Sequence, residues 1–206
     1  MLDRFTMPNI DRWVSVPADW LAVRKVSPDL ITVAGFLFGL ACVVSIVYSQ
    51  FALALSALAI NRLADGLDGA VARRSSRTAA AAKAGGYLDI CLDFLFYAGF
   101  VLAFALQNPD DNALIAAVVL ACYIGTGSSF LAFAAAGGDD PRADLPKKTF
   151  YYLQGLAEGT ETVIFMLLCL MLPTWFTQFA LVFALMCSVT LSTRIYSGYR
   201  RLLTLE

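Results

Sequence analysis

With 206 residues, 59% of them hydrophobic and 15% charged, and a mean hydropathy of +0.70, the chain departs from the balance of a soluble domain and reads as a polytopic helical membrane protein. A formal net charge of −1 offers no electrostatic footprint for nucleic acid, so none is expected as a partner. The absence of histidine excludes imidazole as a catalyst or metal ligand. Cys42, Cys91, Cys122, Cys169 and Cys187 lie in apolar runs without CxxC spacing, which points to packing rather than to zinc or disulfides.

The N-terminal stretch has no apolar core ahead of a cleavage site, so a cleaved signal peptide is not expected. Residues 9–24 alternate Trp13, Trp20, Val16 and Leu21 with Asp11, Arg12, Asp19 and Arg24, an imperfect apolar face broken by Pro17. The pattern predicts an interfacial segment over 1–27 and a six-helix membrane domain over 28–206.

A first span is predicted over 28–48 and a second over 51–73, the latter carrying Asn61, Arg62, Asp65 and Asp68 within it. Residues 74–84 read as a polar, Ala-rich connection, with Gly85 and Gly86 opening a third span that continues through Asp89 and Asp93 to about residue 106. QNPDDN at 107–112 is a turn signal. The fourth span, 113–136, contains the small run GTGSS at 125–129, which permits close helix contact. After the polar loop 137–148, a fifth span is predicted over about 150–172 with Tyr151, Tyr152, Glu158 and Glu161, and a sixth that holds Arg194.

Of the fifteen Lys and Arg residues, all but Arg62 and Arg194 fall in the N-terminal segment, at Arg73 where the second span ends, in the 74–84 connection, in the 137–148 loop or at the C-terminus, leaving the alternate loops bare. Cytoplasmic loops collect basic residues, so the expected fold is an all-α bundle of six transmembrane helices with both termini cytoplasmic.

Asp65 and Asp68 stand three apart and Asp89 and Asp93 four apart, so each pair shares a helix face, and a short connection makes the two helices antiparallel. A charged side chain at bilayer depth costs about 3 kcal/mol on insertion scales, so four such acids call for a partner. Unscreened they repel. A hard divalent cation removes that penalty, and oxygen-only ligation suits Mg²⁺ or Mn²⁺, with room for two ions about 4 Å apart. Gly69, Ala72 and Gly85 present little side chain beside the acids, and Arg73 either faces a phosphate or anchors the cytoplasmic helix end.

The pattern Asp65-x2-Asp68-Gly69-x2-Ala72-Arg73, followed by Gly85-x3-Asp89-x3-Asp93, resembles the signature of the CDP-alcohol phosphatidyltransferases. The stretch between Arg73 and Gly85 is longer than in the family pattern. The resemblance implies transfer of a phosphoalcohol from a cytidine diphosphate donor to an alcohol, releasing CMP. It implies that Asp65, Asp68 and Asp89 ligate the metals, and that Asp93 shares a metal and is the general base. It further implies that Asp65, Gly69, Ala72, Arg73 and Gly85 line the nucleotide site, and that the protein is a homodimer of the bacterial inner membrane; the distribution of Lys and Arg is what puts the expected active site toward the cytoplasm.

The expected donor is CDP-diacylglycerol with a small polar alcohol as acceptor; a soluble CDP-alcohol donating to diacylglycerol is the alternative. A phosphorylated acceptor would need cations, and Arg142, Lys147 and Arg194 are candidates, with Glu158 and Glu161 either at the acceptor site or paired with Arg194. From other classes, a cation or proton transporter and an inactive membrane scaffold stay open.

Overall fold

The computed structural model describes residues 14–136 and 155–204, and all regular structure among them is helical. Arg142, Lys147, Lys148, Tyr151 and Tyr152 lie outside the described residues. The helices are α1 (Val14–Val23), α2 (Pro28–Val47), α3 (Phe51–Arg74), α4 (Ala79–Gln107), α5 (Pro109–Ala135), α6 (Gly159–Met171) and, after a 3-10 turn at Pro173–Trp175, α7 (Phe176–Leu202). They divide between two compact units, one drawn from Arg4–Asp110 and the other from Asp111–Glu206.

By length and composition α2, α4, α5 and the Pro173–Leu202 segment qualify as membrane spans. The 24 residues of α3 reach about 36 Å at helical rise, but Arg62, Asp65 and Asp68 load it with charge. The 13 residues of α6 reach only about 20 Å, less than the hydrocarbon thickness. Among the described residues four helices qualify by length and composition, where six spans were expected over the whole chain.

Three boundaries correct the sequence expectations. The third span opens at Ala79, ahead of Gly85, because Thr78 accepts the Ala81 N–H at 3.2 Å as an N-cap and the alanines that follow are the strongest helix formers. The long Arg73-to-Gly85 stretch is therefore absorbed as extra helix, with only 75–78 left as connection. The turn expected over 107–112 shrinks to Asn108, since Pro109 starts the next helix at the position where its missing N–H costs nothing. The helix expected from about 150 starts at Gly159, where Glu158 caps it.

In the first unit, small residues let backbones approach. A Cβ on Gly35 would stand 2.8 Å from the Ala64 Cβ, and one on Gly39 would stand 2.8 Å from the Phe96 ring. This Gly-x3-Gly face seats α2 against α3 and α4. Asn61 Nδ2 then reaches across to the Gly35 carbonyl at 2.9 Å. Below the polar level the core is Cys42, Ile46, Leu58, Phe96, Phe100 and Phe104, all buried, with Phe100 and Phe104 ring centroids 5.4 Å apart. Helix α1 buries Val14 and Ala18 against Ala70 and Val71 of α3, and Asp19 takes the Arg74 guanidinium at 2.5 Å. Its outer face leaves Val16, Trp20 and Val23 exposed.

In the second unit Phe165 of α6 stacks on Phe183 of α7 at 4.4 Å, and Tyr123 of α5 meets the same ring edge-on at 5.9 Å. A Cβ on Gly125 would stand 2.6 Å from Leu191, so the GTGSS run does permit close helix approach. All five cysteines are free thiols, and Cys42, Cys169 and Cys187 are buried in packed positions.

Candidate active site

Helix α3 supplies Asp65 and Asp68, and α4 supplies Asp89 and Asp93, so the site is built where the charged half of one helix faces the start of the next. One carboxylate oxygen from each of Asp65, Asp89 and Asp93 lies within 4.8 Å of the others. Asp68 is outside that trio. It is buried, and its Oδ2 accepts a hydrogen bond from Thr32 Oγ1 at 2.5 Å, which brings α2 into the site.

Two spaces adjoin these acids. A small one of about 10 Å³, roughly one water in size, is lined by Asp65, Asp68, Asp89, Asp93, Arg62 and Asn61 among others. A larger cleft of about 200 Å³ is lined by Asp68, Gly69, Ala72, Gly85 and Asp89, together with Asp29, Thr32 and Arg77. Asp68, Asp89 and Thr32 border both. Of the residues expected to receive a nucleotide, Gly69, Ala72 and Gly85 thus meet in one cleft, and Asp65 stands in the adjoining space. Arg73 is not among the residues lining the cleft; its exposed guanidinium lies back along α3, 3.4 Å from where a Gly69 Cβ would be.

Arg62 bridges two of the acids. Its Nη2 donates to Asp93 Oδ1 at 3.0 Å, its Nη1 lies 3.5 Å from Asp65 Oδ2, and its Nε donates to Asn61 Oδ1 at 2.8 Å. Nη1 also reaches the Tyr97 hydroxyl at 3.1 Å, and that hydroxyl donates to Asp93 Oδ2 at 3.1 Å. Both oxygens of Asp93 therefore have a fixed donor, and the guanidinium packs 5.2 Å from the Phe96 ring centroid. Since Asn61 is pinned to the Gly35 backbone, the chain of bonds runs from α2 through α3 to α4.

The donor set fits a divalent cation. The contributing atoms are carboxylate oxygens, three of them already close, and one guanidinium stands against four carboxylates. Hard cations such as Mg²⁺ and Mn²⁺ favour oxygen ligands of this kind.

The acceptor candidates divide. Arg142 and Lys147 lie outside the described residues. Arg194 Nη1 donates to the Thr126 carbonyl at 3.4 Å and feels the charge of Glu158. Glu158 and Glu161 form a capping box at the start of α6: Glu158 N–H donates to Glu161 Oε2 at 3.3 Å, and the Glu158 side chain accepts from the backbone in return. The Glu158 carboxylate also accepts the Gly155 N–H at 2.9 Å.

The profile of the CDP-alcohol phosphatidyltransferases matches residues 25–191. The chain belongs to that family. Its relatives include the inner membrane protein YnjF of Escherichia coli, 43% identical over an alignment covering 100% of this chain and 99% of the relative. A bifunctional IPC transferase and DIPP synthase of Aquifex aeolicus is 28% identical over 97% of this chain, which spans only 45% of that protein. The protein of the same name from Thermococcus kodakarensis is 32% identical over 57% of this chain and 27% of its own length. Enzymes of the family use CDP-alcohol donors and alcohol acceptors, generally with divalent metals. A membrane-embedded transferase family is therefore the class of this chain, and a transporter recedes as a reading of its acids.

Several residues around the site escaped the sequence reading. Thr32 and Tyr97 are single hydroxyls inside apolar runs and carry no periodic signal. Gly35 and Gly39 did carry one, the Gly-x3-Gly spacing of close helix pairs. Asp29 and Arg77 read as ordinary flanking charges, because nothing in their spacing announces that they meet.

Proposed function

We propose that this protein transfers a phosphatidyl group from CDP-diacylglycerol to the hydroxyl of a small polar alcohol and releases CMP. The observation that carries the reading is the convergence of Asp65, Asp89 and Asp93 within 4.8 Å beside a cleft of about 200 Å³. In this proposal Asp65, Asp68 and Asp89 hold Mg²⁺ or Mn²⁺, two ions in all, with Asp93 sharing one. The bound cations supply neutralisation of the pyrophosphate and of the departing CMP.

The residues of the chain do the rest. Asp93, held by Arg62 and Tyr97, takes the proton of the acceptor hydroxyl as its oxygen bonds to the phosphatidyl phosphorus and the bond to the CMP oxygen breaks. Gly69 and Ala72 leave room for the nucleotide, Gly85 lets Arg77 and Asp29 form the wall of the same cleft, and Arg73, which stands outside the cleft lining in this structure, turns from the end of α3 to meet the phosphates. Acceptor selection by Arg142, Lys147 or Arg194 belongs to the same proposal. So does the orientation, with the site and both termini cytoplasmic, which rests on the distribution of Lys and Arg. Helix α1, with Val16, Trp20 and Val23 outward, then lies at the membrane surface, and homodimerisation follows the family resemblance.

The test is release of CMP by purified protein in detergent, with CDP-diacylglycerol and a panel of free and phosphorylated polar alcohols. Release is expected to require Mg²⁺ or Mn²⁺ and one alcohol of the panel, and to stop with EDTA. Turnover of CDP-choline or CDP-ethanolamine with diacylglycerol, and none of CDP-diacylglycerol, would reverse the donor assignment. CMP release from neither donor class would sink the reading.

A further inference from the structure

The cation that lines the 200 Å³ cleft is Arg77, whereas the signature arginine, Arg73, does not line it. Arg77 sits in the 75–78 connection between α3 and α4, inside the stretch that is longer than the family pattern. Its Nη2 donates to both oxygens of Asp29, at 2.7 Å each. Asp29 belongs to the first turn of α2, where the helix dipole favours an acid.

The two side chains fill the space that Gly85 leaves bare. A Cβ at Gly85 would stand 2.8 Å from Arg77 Nη1 and 2.8 Å from Asp29 Oδ1. The extra turn of α4 ahead of Gly85 and the absence of a side chain there together admit a guanidinium into the wall of the cleft. Its described hydrogen bonds all run through one nitrogen, so the N–H groups on Nη1 and Nε remain as donors from the five that a guanidinium carries. The other charges bordering this cleft are Asp29, Asp68 and Asp89, all acidic. A diphosphate entering such a space needs a cation supplied by the protein as well as any bound to the carboxylates, and a planar fork of N–H donors is the group best matched to phosphate oxygens.

We infer that Arg77 is a binding residue for the phosphates of the cytidine-linked donor, with Asp29 as the carboxylate that parks it in the absence of donor. The inference rests on the proposed transferase reading and extends it to a phosphate-binding residue outside the family signature. The bland alternative is a staple, in which the ion pair only ties the connection to the start of α2. The two differ in a checkable way: a staple is broken equally from either side, whereas a parked ligand is released by removing its parking carboxylate.

The experiment measures the Kd of CDP in the presence of Mn²⁺ by titration calorimetry on the full chain, for wild type, Arg77→Gln, Arg77→Lys and Asp29→Asn, with Tm recorded for each. Loss of a charge-assisted phosphate contact should weaken CDP by about tenfold in Arg77→Gln. Arg77→Lys should keep part of that affinity because the charge stays while the fork is lost. Asp29→Asn should tighten CDP by roughly threefold, since a competing charge near the phosphates is removed. CDP affinity unchanged in Arg77→Gln, or weakened alike in Asp29→Asn and the Arg77 variants, overturns the inference. If Arg77→Gln does not fold, Arg77→Lys against Asp29→Asn decides by the same opposition. A wild-type chain that binds no CDP with metal present removes the transferase reading itself, and this inference with it, which sets that outcome apart from a failure of Arg77 alone.

Discussion

The helices of Arg4–Asp110 and those of Asp111–Glu206 both hold acids among apolar residues, and they treat them in opposite ways. In the first, Asp65, Asp89 and Asp93 face one another across a small space, and one guanidinium is the cation set among them. In the second, Glu158 and Glu161 turn to backbone N–H groups at the start of α6, and Thr190 Oγ1 accepts the Leu156 and Ala157 N–H groups at 2.8 and 2.9 Å. An acid whose neighbours are N–H donors is satisfied by the fold, as a capping residue is. A cluster in which three acids share one guanidinium is not, and that deficit is what a metal or a substrate fills. The informative feature of a buried carboxylate is therefore what faces it, and its depth in the membrane is secondary.

The comparison breaks most visibly if acids of the first group turn out to act on stability alone. Asp93→Asn keeps the size of the side chain and an oxygen for Arg62, but removes the proton acceptor. Turnover should fall by about 10²- to 10⁴-fold, the usual contribution of a positioned general base, while CDP binding with Mn²⁺ stays within a few-fold. Steady-state CMP release and calorimetry on the same preparation check this, and normal turnover would remove Asp93 from the reaction.

The next effect concerns the cation between the acids. The Arg62 side chain is 14% exposed and bonded to Asp93, Tyr97 and Asn61, so Arg62→Gln leaves the carboxylates facing one another without it. Removing one member of such a pair costs about 3 kcal/mol. The loss should appear as a lowered Tm in EDTA and shrink on adding Mn²⁺, which supplies the missing positive charge. A variant with wild-type Tm in EDTA would show that the acids do not strain the metal-free fold.

How much of this the sequence displays depends on the kind of signal. The spacing of three and four between the acids states which helix faces they share, so the pairs and their convergence were legible, as were the start of α2 at Pro28 and the small-residue contact at Gly125. The start of α4 was hidden because polar flanks around Ala79 disguised a helix-forming run as a connection. The partition among the acids was hidden for another reason. Asp68 leaves the trio because Thr32, 36 residues earlier in the chain, happens to stand opposite it, and no local spacing encodes a contact at that separation. The Asp29–Arg77 pair is the same case over 48 residues. Glu158 and Glu161 show the converse: their spacing of three suited an ion pair with Arg194 and equally a capping box, and the break of the helix at Glu158 decides that the box forms, while the charge of Glu158 still reaches Arg194.

That decision yields the smallest effect, and the sharpest on the second half of the comparison. In a capping box the N3 side chain needs only an acceptor oxygen, which glutamine provides as well as glutamate. Glu161→Gln should therefore leave Tm nearly unchanged, while Glu161→Ala should lower stability by about 1 kcal/mol through loss of the cap. An acceptor site that uses the negative charge of Glu161 predicts a different pattern, with the Gln and Ala variants both raising the KM for the alcohol. Thermal unfolding and acceptor KM measured on the two variants separate these outcomes, because the cap responds to the acceptor atom and a binding site to the charge. Were Glu161→Gln to keep its Tm and lose affinity for the alcohol, the acids of the second unit would join those of the first as ligand-facing groups, and the capping geometry would be a second use of the same carboxylate.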